Sequence, residues 1–111
     1  MIDWARIAEL QQDIGAEDFA ELTALFLEEV EGVLDTLSDT ARPEALAEQF
    51  HFLKGSALNI GFRRLAELCA LAEHVAISGQ PCGAPIARLR KAYAESKALF
   101  LSSEGRRALA G

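Results

Sequence analysis

The sequence predicts an all-α fold, an antiparallel up-down four-helix bundle led by a short N-terminal helix. Three observations carry that reading. Apolar residues recur at steps of three and four along most of the chain, the period of one helix face. Half of the 111 residues are hydrophobic and only three are proline. Ala, Leu and Glu dominate, a mix that favours helix. The connections between the amphipathic stretches are short, which sets consecutive helices side by side and antiparallel, and no alternating, strand-like run interrupts them.

Each element has its own signature. The first helix, about 3–12, carries Trp4, Ile7, Ala8 and Leu10, and Gly15 breaks the chain behind it. The second, about 17–38, places Phe19, Leu22, Phe26, Val30, Val33 and Leu37 on one face, with Glu17 and Asp18 in the first turn, where acids suit the helix dipole. Pro43 opens the third, about 43–59, at a position where its missing N–H costs nothing. Leu46, Phe50, Leu53, Ala57 and Ile60 form its core seam, and Gly61 is a natural stop. The fourth, about 62–78, uses Phe62, Leu65, Leu68, Cys69, Ala72, Val75 and Ala76. After the Ser78–Gly83 loop, the fifth spans about 85–101 and buries Ile86, Leu89, Tyr93 and Phe100, with Arg88, Arg90, Lys91 and Lys97 on its outer side. The residues after Phe100 read as a short helical tail or frayed end.

Length suits a single domain over 1–111, large enough to bury a core without disulfides or metals. No apolar run approaches the ~20 residues of a membrane span, and the N-terminus has no basic leader, so a cytoplasmic location is expected. Cys69 and Cys82 lack metal or redox spacing and read as buried structural thiols in a reducing compartment. The net charge of −6 argues against nucleic acid, whose binding needs clustered Lys and Arg. Residues 1–50 hold thirteen acids against two bases, and residues 51–111 hold four against nine. This polarity is either plain solvated surface or a polarised docking face.

Phosphate-cradling, dinucleotide, zinc-protease and nucleophile-elbow motifs are all absent. Two histidines remain, His51 and His74. His51 follows Phe50 by one residue, so it stands about 100° round the helix from the buried seam. Its neighbours one turn away, Ala47 and Gly55, lack bulk, and Lys54 offers an ammonium on the adjoining face. A glycine inside a helix costs about 1 kcal/mol relative to alanine, and clearance for an approaching protein would justify it. Spacing alone leaves two readings open: an ordinary surface histidine beside a glycine that lets helices pack closely, or a sterically open nucleophile next to a cation.

The run His51-Phe52-Leu53-Lys54-Gly55-Ser56-Ala57-Leu58-Asn59-Ile60-Gly61, followed by Leu65, Leu68-Cys69, Leu71 and Glu73, resembles the signature of histidine phosphotransfer (HPt) domains. These are the intermediate carriers of multistep phosphorelays. About 25 residues match closely, and the rest agrees in length and helix plan. The resemblance implies that His51 accepts a phosphoryl group on Nε2 from a receiver-domain aspartyl phosphate and passes it to another receiver. By the same resemblance Lys54 stabilises phosphate charge, Gly55 makes room for docking, and Glu73 is a hydrogen-bond partner that orients the ring. Ala47, Phe52, Ser56, Leu58, Asn59, Arg63 and Arg64 are then expected around the docking surface. The implied partners are receiver domains of response regulators or hybrid histidine kinases, with Mg2+ carried by the receiver, no cofactor or metal on this chain, and a monomeric state. Three competitors stand beside this reading: the phospho-accepting domain of a larger histidine kinase, a non-catalytic adaptor that binds a receiver, and a small His-dependent hydrolase.

Overall fold

The computed structural model describes residues 2–102 as a compact helical bundle of five helices, 45 × 21 × 19 Å, without strands among those residues. They are α1 (Trp4–Ile14), α2 (Ala16–Thr36), α3 (Pro43–Ile60), α4 (Arg63–Ile77) and α5 (Gly83–Leu101). The tail expected after Phe100 lies, beyond Ser102, outside the described residues. No helix among the described residues is long and apolar enough to cross a membrane.

Helix ends differ from the sequence expectation by one or two residues, for local reasons. Asp3 sits just outside α1 as its N-cap, its side chain accepting from the Arg6 amide at 3.1 Å. Phe62, expected inside the fourth helix, precedes it with non-helical backbone, because its ring turns into the core. α5 begins at Gly83, so Pro85 is its third residue, still within the first turn where amides have no helical acceptor.

The larger correction concerns which face of α2 is buried. Thr23 and Leu34 join Phe19, Phe26, Val30 and Leu37 in the core, whereas Leu22, expected there, is exposed and Val33 only half-buried against it. Steps of three and four can be phased in two ways when apolar residues are adjacent, and the phasing here leaves Leu22 39% and Leu25 59% exposed.

α3 packs along α4, α4 on α5, and α2 on α3, with α1 against α2 and α3. Phe62 is the hub of the core: its ring lies 5.1 Å from Phe26, 5.8 Å from Phe100 and 6.4 Å from Tyr93, centre to centre. Trp4 stacks on Phe100 from outside. α2 and α5 are joined by polar side chains. Glu31 accepts from the Tyr93 hydroxyl at 2.5 Å and from Lys97 at 2.7 Å. Arg90 donates to the carbonyls of Leu34 and Leu37 at the end of α2, at 2.8 and 3.0 Å. Arg90 and Lys97, expected on the outer side of the fifth helix, are therefore structural ties, together with Glu31.

The α3–α4 turn depends on Gly61. Its φ of +88° lies in the left-handed region, and a Cβ there would stand 2.9 Å from the Asp3 carbonyl oxygen. The bare backbone lets the Asp3 amide donate to the Gly61 carbonyl at 2.7 Å. The Gly61 and Phe62 amides both close on the Ala57 carbonyl, which ends α3 cleanly.

Candidate functional site

The buried seam of α3 (Leu46, Phe50, Leu53, Ala57, Ile60) fixes where its other side chains point. One residue past Phe50, the His51 side chain is 68% exposed. Gly55 lies four residues on, on the outward side, and a methyl group added there would meet no atom within 4 Å outside its own helix backbone. No close helix packing therefore requires this glycine.

Glu73 approaches from α4. It stands eleven residues beyond Phe62, as His51 stands eleven before it, so the tight turn brings the two side by side. The carboxylate lies 3.2 and 3.4 Å from His51 Nδ1 through Oε2 and Oε1, and Oε1 also accepts from Lys54 Nζ at 3.2 Å. The Lys54 hydrogen bond, reinforced by its charge and by His51, holds the Glu73 carboxyl below its ordinary range against a smaller opposing effect of burial. Glu73 is thus ionised at neutral pH and can only accept hydrogen bonds. The contact requires the proton of a neutral ring on Nδ1, which leaves the lone pair on Nε2.

Other residues of the sequence reading fall in three groups. Phe52 and Leu58 flank His51 with 45% and 58% of their surface exposed, with Asn59 exposed and Ala47 and Ser56 half-buried on the same helix. Arg63 and Arg64 are not brought to His51. Arg63 pairs with Asp3 at 3.1 Å, and Arg64 pairs with Glu67 and lines a groove with Leu68, Arg88 and Lys91 against α5. Cys69 and Cys82 are buried free thiols. Burial pushes the Cys69 thiol up to about 12. No group of three or more His, Cys, Asp or Glu able to hold a metal ion occurs among the described residues.

Sequence reasoning missed the apolar surface beside this site. Leu22 and Leu25 of α2 line a groove with Leu10, Ser56 and Asn59, and Leu25 continues into a second groove with Phe52. Ile77, one turn beyond Glu73, is 70% exposed. The available signal was an excess of large apolar residues on α2, more than one core-facing stripe accommodates.

A family model for the Hpt domain matches residues 5–99. The chain belongs to the Hpt domain family. No curated protein and no solved structure gives a significant match. Membership carries the capacity for histidine phosphotransfer in phosphorelays, where HPt domains work with receiver domains. This HPt domain has two histidines, and their surroundings differ. His51 has a carboxylate on Nδ1 and an ammonium on that carboxylate, whereas the exposed His74 ring makes no hydrogen bond or ion pair among the described residues.

Proposed function

We propose that this HPt domain is a phosphocarrier that takes a phosphoryl group onto Nε2 of His51 from a receiver aspartyl phosphate and delivers it to a second receiver. One observation carries the assignment: Glu73 occupies Nδ1 at 3.2 Å and directs the free lone pair to the other nitrogen of an exposed ring. In the forward step the Nε2 lone pair attacks phosphorus, the bond from phosphorus to the aspartyl oxygen breaks, and the aspartate leaves as carboxylate. The ring keeps its Nδ1 proton and acquires imidazolium character, which the Glu73 carboxylate compensates. Delivery to the next receiver is the reverse of this step.

Lys54 is placed to turn from Glu73 toward the phosphoryl oxygens, and Gly55 leaves the backbone clear for the incoming active site. Phe52 and Leu58 form the apolar part of the contact, with Ala47, Ser56 and Asn59 at its edge. Leu22 and Leu25 extend it onto α2. The receiver, of a response regulator or a hybrid histidine kinase, brings the Mg2+, and this chain contributes no cofactor. The scaffold is an antiparallel up-down four-helix arrangement of α2–α5, acting as a cytoplasmic monomer.

The test is transfer from radiolabelled, phosphorylated receiver domains to the wild type and to His51→Gln. Label that reaches the wild type alone, is lost in acid and survives alkali supports the reading. Equal labelling of the variant overturns it and points to His74.

A further inference from the structure

Gly32 presents the same anomaly as Gly55. It lies in the interior of α2, on an exposed position, where glycine is a poor helix former. Its φ is not in the left-handed region, and a methyl group added at Cα would meet no atom within 4 Å outside its own helix backbone. Neither turn geometry nor internal packing therefore calls for glycine. Its surroundings suggest another reason. Gly32 lines an open groove of about 590 Å³ with Leu25, Val33, Thr36 and Phe52. Phe52 follows His51 on α3, so one wall of this groove is a residue of the contact proposed around the phosphoryl acceptor.

We infer that Gly32 is a second clearance point, at which a backbone segment or small side chains of the docked receiver rest directly on α2. Resting on the reading of His51 given above, this makes the receiver contact two-sided, with one bare patch beside the histidine on α3 and another across Phe52 on α2. Glu28 and Glu29, which line the groove without an ion-pair partner among the described residues, select a receiver segment that carries Lys or Arg beside its apolar contacts. Gly32 then acts on partner choice and affinity, not on the phosphoryl chemistry.

The proposal predicts opposite signs for folding and docking. Gly32→Ala raises Tm by roughly a few degrees, because alanine is the better helix former. Gly32→Leu raises the Kd for the receiver that labels His51 about tenfold or more, the loss expected when a central interface contact is displaced. Single-turnover transfer at saturating receiver remains within about threefold of wild type, because the reacting groups are untouched. Ala87→Leu, an exposed α5 position outside the groove, is the control. Wild-type affinity in Gly32→Leu overturns the inference while leaving the His51 assignment standing. Labelling of His51→Gln overturns the assignment itself. A wild type that sediments as a dimer, and a Gly32→Leu variant that does not, would give the groove to a second copy and also overturn the inference.

Discussion

Glu73 of α4 holds one carboxylate between two cationic or proton-donating groups of α3, His51 Nδ1 at 3.2 Å and Lys54 Nζ at 3.2 Å. The contact with His51 orients the ring, and the contact with Lys54 keeps the carboxylate charged. Glu73→Ala removes a charge-assisted hydrogen bond worth roughly 1.5–3 kcal/mol, so phosphoryl transfer falls about ten- to hundredfold if that bond is fully expressed in the transition state. Glu73→Gln keeps an acceptor for Nδ1–H and recovers a substantial part of the rate. Single-turnover kinetics on the three proteins check this, and equal rates for Ala and wild type would remove Glu73 from the mechanism.

Lys54 is read as stabilising charge on the phosphoryl group, away from the docking contact. Lys54→Ala lowers the transfer rate by about tenfold or more, the scale for losing one preorganised electrostatic contact. Receiver affinity stays within about threefold. Isothermal titration beside rapid-quench transfer separates the two quantities, and a parallel loss of affinity would make Lys54 a docking residue.

Gly55 within α3 and Gly61 just beyond its end answer to opposite demands. Gly61→Ala forces a left-handed backbone on alanine and sets its methyl 2.9 Å from the Asp3 carbonyl. It destabilises by at least about 2 kcal/mol, seen as a lower urea midpoint with unchanged slope. Gly55→Ala meets open space and stabilises the helix by up to about 1 kcal/mol while weakening receiver binding.

The α2–α5 tie is one source of acid sensitivity. The Lys97 hydrogen bond first, and the Tyr93 hydroxyl second, hold the Glu31 carboxyl below its ordinary 4.5. A group with a depressed folded value contributes its stability above 4.5 and loses it as pH falls through that depressed value. Tm of the wild type therefore drops in acid. Glu31→Gln is less stable than wild type at pH 7, and the gap narrows as Glu31 protonates. Thermal melts of both proteins across that range provide the check.

Helix number, helix order and the α3 seam are legible in the sequence, because Leu46, Phe50, Leu53, Ala57 and Ile60 sustain an unbroken 4, 3, 4, 3 spacing. α2 is less legible, since Leu22–Thr23 and Val33–Leu34 offer neighbouring positions and the choice rests on what packs opposite. The motif at His51 and Lys54 is local and readable. The pairing of Lys54 with Glu73 is tertiary, as are the engagement of Arg63 by Asp3 and the turning of Arg90 onto the end of α2. Long charged side chains carry no mark in sequence of whether they meet water or a distant partner.

His51 and Glu73 sit equally far from Phe62, like two marks that coincide when a ruler is folded. One residue inserted in either arm would turn the mark beyond it by about 100° and carry it 1.5 Å along the axis. The pair would then part although the bundle still formed. The α3–α4 arm should thus accept no change of length, whereas the loop between α4 and α5 lies outside this measure. On the proposed mechanism, the spacing between histidine and carboxylate is itself a functional quantity.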